Sequence, residues 1–221
     1  MKIEYKQITE PFNQWLGQKQ GEKCVKNLIK HGFDSHFVET KEEAGLLIES
    51  KIGDFESFGF AGSDTTRKIG LIEKLRDQGK ILYDHWEDGL APEDGFRIRK
   101  MQSDCDCFLC SANAISMTGE IINMDGVGNR TNAMSFGPKK VFIVAGMNKV
   151  TKDLDSALKR IHEVAAPMRA KSLGIETPCG KTGICGDCND PMRLCRITTI
   201  LHRKPMMTDI SVILINESLG F

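Results

Sequence analysis

Val141-Phe142-Ile143-Val144-Ala145 followed by Gly146-Met147-Asn148-Lys149 is an unbroken apolar run that stops at a turn bearing an amide and an amine. Five consecutive apolar, mostly β-prone residues without polar alternation read as a strand buried on both faces, as in a parallel sheet covered by helices. Downstream, Asp153 to Lys171 has the spacing of a long helix and Ile210 to Ile215 that of a final strand. Upstream, helical and extended signals alternate. Phe12 to His31 reads as an amphipathic helix (Trp15, Leu16, Val25, Leu28, Ile29) ended by Gly32, Phe33 to Glu39 as a strand, and Lys41 to Lys51 as a helix. Phe58 to Ala61 is a short strand, Arg67 to Gln78 a helix stopped by Gly79, Lys80 to Trp86 is extended, and Phe96 to Ser103 is a basic helix. Cys105 to Cys110 and Glu120 to Asn123 are strands, with a hairpin around Met117-Thr118-Gly119 between them. This order predicts an α/β fold, a mostly parallel Rossmann-like sheet with helices on both faces and an antiparallel hairpin.

At 221 residues, 40% of them hydrophobic and 27% charged, the chain can bury one substantial core. We expect a single domain, with an N-terminal helical segment over about 1–32 and a cysteine loop over about 176–197. Thirty basic residues balance thirty acidic ones without a block of one sign, which argues against nucleic-acid and membrane partners and for small molecules or proteins. Residues 1–11 lack an apolar leader pattern and no run approaches the ~20 apolar residues of a membrane span, so a cytoplasmic location is expected.

In an open parallel sheet the carboxyl ends of the strands face one edge, where ligands bind. Three strand ends here are polar. Gly62-Ser63-Asp64-Thr65-Thr66 offers backbone N–H groups and hydroxyls at what reads as a helix start, either an anion cradle or a plain N-cap. Arg67 and Lys68 then fall in the first helical turn, where the macrodipole disfavours cations by up to ~1 kcal/mol each, so a bound anion would account for them. Ser111-Ala112-Asn113 and Asn148-Lys149 are the other two ends, and Ser63, Asn113 and Lys149 are expected to share one crevice. A fourth element, Asp125-Gly126-Val127-Gly128-Asn129-Arg130, combines close-approach glycines with a guanidinium fork for a carboxylate or phosphate. The candidate ligand residues are therefore Gly62, Ser63, Thr65, Thr66, Asn113, Asp125, Gly126, Gly128, Asn129, Arg130, Asn148 and Lys149. No nucleophile elbow, Walker loop or dinucleotide fingerprint is present, and the five histidines are scattered.

Cys179, Cys185, Cys188 and Cys195 are spaced C-x5-C-x2-C-x6-C among Gly, Pro, Lys and Asp. A reduced compartment favours a shared metal over disulfides, and the set is assigned as a four-thiolate metal site. The gaps match neither a zinc ribbon nor the tight ferredoxin run, and an iron-sulfur cluster of the [4Fe-4S] type is preferred narrowly, with zinc as the alternative. Cys105 and Cys107 should share one face of their strand and Cys110 the other, as small buried hydrophobes.

The run Ser111-Ala-Asn-Ala-Ile-Ser-Met-Thr-Gly-Glu-Ile-Ile-Asn-Met-Asp-Gly-Val-Gly-Asn-Arg130, followed by Gly137 to Lys149, closely resembles the LUD-domain (lactate utilisation) proteins. Asp84-His85-Trp86, Ala165-Ala-Pro167, the cysteine loop and Glu217-Ser-Leu-Gly-Phe221 resemble the cysteine-bearing branch of that family. The likeness, from about Phe60 onward, implies a fold like the NagB/RpiA/CoA-transferase superfamily. It also implies a Gly-Ser/Thr loop that binds phosphate or carboxylate, and a link to organic-acid oxidation beside iron-sulfur or other redox partner proteins. The acidic base of isomerase relatives corresponds to the Asn113 region, and an amide cannot take that role. Two functions follow as expectations: an enzyme, such as an oxidoreductase subunit, acting on a small anionic ligand, or a non-catalytic subunit that binds an effector or partner and uses its metal structurally.

Overall fold

The computed structural model describes residues 5–221, so the reading of residues 1–11 falls partly outside it. In chain order the elements are α1 (Tyr5–Lys30), β1 (Asp34–Val38), α2 (Lys41–Glu49), β2 (Ser57–Phe60), α3 (Asp64–Lys68), α4 (Leu71–Asp77), β3 (Ile81–Asp84), α5 (Pro92–Met101) and β4 (Cys107–Cys110). There follow β5 (Ala114–Ser116), β6 (Ile121–Asp125), α6 (Asn129–Ala133), β7 (Lys140–Gly146), β8 (Val150–Thr151), α7 (Leu154–Arg160), α8 (Ala166–Ser172), α9 (Pro178–Thr182), β9 (Ile197–Leu201) and β10 (Asp209–Ile215). Among the described residues no helix is long and apolar enough to cross a membrane.

Six strands form the main sheet in the order β1-β10-β7-β4-β2-β3, and every pairing is parallel. The apolar run of β7 is buried throughout because both faces of the sheet are covered. Val141, Ile143 and Ala145 pack with Cys24 and Leu28 of α1, whereas Phe142 and Val144 pack with Ile48 of α2 and Leu75 of α4. At roughly 1.5–3 kcal/mol per buried side chain, this two-sided burial is the main term holding the sheet together. A second sheet, β8-β5-β6-β9, contains the antiparallel hairpin and adds Ile115, Ile121 and Leu201 to the core on the α1 face.

Several local expectations are corrected. The helix expected over 67–78 is two helices. Ser63 caps the first, its Oγ accepting from Thr66 N at 3.3 Å, and Gly70 at φ +70 separates them. Arg67 and Lys68 thus lie in the last turn of a five-residue helix, so the expected macrodipole conflict does not exist. Arg67 instead forms a two-point pair with Asp84, at 2.9 and 2.7 Å. In α1 the buried side is Gly21, Cys24 and Leu28, while Trp15, Leu16 and Ile29 face solvent. Any side chain at Gly21 would strike Phe37, which is why the small residues point inward. Cys105 precedes β4 instead of lying in it, so Cys105 and Cys110 share the α1-side core and Cys107 enters the other.

Candidate functional site

Four adjacent strands of the main sheet end on one side. β2 delivers Gly62 to Thr65, β4 delivers Ser111 to Asn113, β7 leads through a 3-10 turn at Met147–Lys149, and β10 leads to Leu219-Gly220-Phe221. Together they enclose a cavity of about 100 Å³, several times the ~10–15 Å³ that holds one water. Its polar wall includes Ser63, Asp64, Thr65, Asn113, Arg130 and Lys149. Its other wall is helical and apolar, with Ile161, Ala165 and Ala166, plus Arg169 from α8 and Leu194-Cys195 from the cysteine loop.

Lys149 is the centre of this arrangement. Its side chain is 4% exposed, and its Nζ donates to Thr65 Oγ1 and to Ser111 Oγ, each at 2.9 Å. Among the described residues it forms no ion pair with a carboxylate; its partners are two neutral hydroxyls. Burial, with Arg130 and Arg160 nearby, pushes its pKa down to about 7, against a smaller opposing pull from Asp64. The chain's last residues close over it. Thr65 Oγ1 donates to Leu219 O at 3.0 Å, Asn148 Oδ1 accepts from Leu219 N at 3.0 Å, and Asn148 Nδ2 donates to Gly220 O at 3.1 Å. This return crosses directly on Gly146, where a Cβ would stand 2.5 Å from Glu217 O.

Arg130 is a structural hub as well as a cavity wall. Its Nε donates to Asp125 Oδ1 at 2.9 Å, and its Nη2 donates to Asn113 Oδ1 and Met124 O, both at 3.0 Å. Asp125 in turn accepts from Thr131 N at 2.9 Å and so anchors the start of α6. Arg169 is looser. Its guanidinium lies 4.6 Å from the Trp86 ring centroid, and its nearest carboxylate, Asp64, is 3.9 Å away. Arg67 lies over the same indole at 4.5 Å. Gly62 is tied to this stack: a Cβ there would come within 2.9 Å of the Trp86 ring.

Of the twelve expected ligand residues, Gly62, Ser63, Thr65, Asn113, Arg130 and Lys149 line the cavity, and the other six do not. Thr66 bonds back to Ser63 O, Asp125 is used by Arg130 and α6, and Gly126 backs onto Leu194. Gly128 precedes α6, Asn129 donates to Gln102 Oε1 at 2.9 Å, and Asn148 holds the tail. Sequence reasoning missed Ser111 as a direct partner of Lys149, Arg169, Leu194, and the closing Gly220-Phe221.

The four loop cysteines are half-buried, free of disulfides, and line a second cavity of about 20 Å³ that shares Ala166, Leu194 and Cys195 with the first. Arg193 pins the loop by donating to Cys188 O at 2.6 Å and Cys195 O at 2.8 Å. Cys185 Sγ stands 3.6 Å from Nδ1 of His162, which sits in the π-helical segment Ile161–Ala165. Burial and the other three thiols push the Cys195 thiol up in pKa, while Arg193 opposes this. Among the described residues no three His, Cys, Asp or Glu side chains stand close enough to form a metal-holding group. The donor chemistry therefore fits a thiophilic metal, whereas the spacing is wider than coordination requires.

No curated protein matches this chain. Its fold is similar to the crystal structure of a DUF162 family protein from Deinococcus radiodurans, with a TM-score of 0.52 and 13% identity over 90% of this chain and 98% of the other. The family profile of the LUD domain matches residues 21–215, from within α1 through β10, which takes in the lining of both cavities except Gly220 and Phe221, so the chain belongs to the LUD domain family.

Proposed function

We propose that the 100 Å³ cavity binds a small organic carboxylate, in keeping with the family's link to lactate utilisation. One observation carries this reading: a buried ammonium that, among the described residues, has no carboxylate ion-pair partner sits in a cavity that also receives Arg130 and Arg169. Burying a cation costs several kcal/mol unless it is paired, so an anion in the cavity would compensate Lys149 directly. Size narrows the class. Drug-sized ligand sites run to roughly 300–1,000 Å³, so this cavity suits an acid of a few carbons better than a sugar phosphate or an acyl-CoA.

The cysteine loop would hold a metal through Cys179, Cys185, Cys188 and Cys195 once it contracts around it. The 20 Å³ void has room for one ion. Such a metal would bring structural or redox chemistry to the wall shared with the carboxylate cavity. Cys195 and Leu194 are the residues through which the two would touch.

Thermal shift against lactate, pyruvate, a sugar phosphate and acyl-CoA tests the cavity. A bound acid at a hundred times its dissociation constant adds about 2.7 kcal/mol to stability. We expect that shift for a small carboxylate, and its loss in Arg169→Gln, whose guanidinium is held only by a long 3.9 Å ion pair to half-exposed Asp64 and by the Trp86 ring. Stabilisation by none of the anions, or only by an uncharged compound, would overturn the reading. Elemental analysis of anaerobically purified protein tests the loop, with about one zinc or four irons per chain expected.

A further inference from the structure

The proposed carboxylate site contains a group that simple anion binding does not require. A cation that only neutralised a carboxylate could stay partly exposed, as Arg169 is, and keep its ordinary charge. Lys149 is instead buried beneath Gly220, its Nζ bonded to two hydroxyls and, among the described residues, ion-paired with no carboxylate. Both hydroxyls carry a proton, donated here to Leu219 O and Ala112 O, so Thr65 and Ser111 can exchange a proton with the amine or with an oxygen beside it by turning from those carbonyls. Apolar side chains from Ile161, Ala165 and Leu194 face the polar wall and leave a lining suited to a short alkyl group. Asp64, on the same wall, is an acid–base group within electrostatic reach of the amine.

Resting on that reading, we propose that Lys149 Nζ is a nucleophile toward the carbonyl carbon of a small 2-oxo acid bound in this cavity, forming an imine with it. The carboxylate would lie between Arg169 and Arg130, and the alkyl group against the helical wall. The nitrogen lone pair forms the new C–N bond while the carbonyl π electrons move to oxygen. Nitrogen then loses its protons, and the oxygen leaves as water, with Thr65, Ser111 and Asp64 relaying protons between the two. The sum is amine plus ketone giving imine plus water, with no oxidant or reductant. Burial brings the amine's pKa to about 7, so a substantial neutral fraction exists near neutral pH, where an exposed lysine would be almost wholly charged.

Pyruvate with sodium cyanoborohydride, which delivers hydride to an imine and spares the ketone, tests this in the intact protein. Peptide mass mapping should find one reduced pyruvate adduct at Lys149. The adduct should be absent in both Lys149→Arg and Lys149→Met, of which the first keeps the charge. Lactate should suppress the labelling, and acetaldehyde, which lacks the carboxylate, should label Lys149 far less. If pyruvate stabilises the protein against heat and yet no adduct forms at Lys149, the imine is wrong and the carboxylate site stands. Labelling spread over exposed lysines and unchanged in Lys149→Arg overturns the imine equally. If no anion stabilises the protein, the carboxylate reading fails, and the imine with it.

Discussion

The two cavities meet at Leu194-Cys195 and are built in opposite ways. The first cavity is walled by the ends of four parallel strands, and three of its polar side chains are held by the protein itself: Lys149 by two hydroxyls, Arg130 by three acceptor residues, Asn113 by Met124 N and Arg130. The thiol cavity is walled by a half-exposed loop whose main fixture is Arg193, and its four donors are gathered without closing on one point. Preorganisation lowers the cost of binding a weakly held organic acid. A metal with a large binding free energy can assemble its own site, because that energy also orders the loop. Rigid sheet edge and adaptable loop therefore suit two ligands of very different strength.

The largest expected effect lies on the rigid side. Arg130→Ala leaves Asp125 buried at 8% exposure without its ion partner and removes a donor from Asn113 and from Met124 O, so it should cost about 3–5 kcal/mol of stability. Urea unfolding of the ligand-free protein measures this. A loss below about 1 kcal/mol, in the range of an exposed salt bridge, would mean that the hub is not rigidly held. Because of this cost Arg130→Ala is a poor probe of ligand binding, and Arg169→Gln is the better one.

The second effect is of opposite sign. The folded pKa of Lys149 lies at about 7, below its ordinary 10.5, so the folded state binds fewer protons than the unfolded chain between those values and stability from this group rises with pH across that window. Below pH 7 both states are protonated and the full burial penalty is present. Lys149→Met should therefore stabilise the ligand-free protein at pH 6 by about 2–4 kcal/mol, with the gain shrinking toward pH 10. Equal midpoints for variant and parent at pH 6 would show that Lys149 finds an anionic partner in the free protein.

How much of this was legible in the sequence depended on range. The apolar runs of β7 and β2 are local signals, and the strand-end rule brought Ser63, Asn113 and Lys149 to one edge without any contact information. Errors came where local chemistry has two readings. Ser63-Asp64 caps a helix whether or not Arg67 follows, and only Gly70 showed that the helix stops after five residues. In α1 the large apolar residues suggested a buried face, but contact with Phe37 at Gly21 sets which side turns inward. β9 was invisible because Ile197 to Leu201 is a partly exposed strand rich in threonine, next to a loop already claimed by cysteines. Arg169 and Gly220 reach the cavity only through tertiary packing. The nearby Ala165-Ala-Pro167 and Glu217-Ser-Leu-Gly-Phe221 stretches were the available signals, as family likeness without a stated role.

The smallest expected effect tests the adaptable side. Cys185 and Cys188 are half-buried and free of disulfides, and the contact of Cys185 Sγ with His162 Nδ1 is long at 3.6 Å. In metal-free protein the double change Cys185→Ser with Cys188→Ser should then alter global stability by no more than about 0.5 kcal/mol, as surface substitutions do. Local opening should behave differently, because a loop with few backbone bonds opens at far lower free energy than the sheet beneath it. Limited proteolysis between Lys181 and Arg196 should therefore be fast in metal-free parent and variant alike, and slow only in metal-loaded parent. Carboxylate-induced thermal shifts should persist in the variant, since only Cys195 of the four lines that cavity. If the double change instead unfolds the metal-free protein or abolishes carboxylate binding, the loop is an integral wall of the rigid site and the division between the two regions collapses.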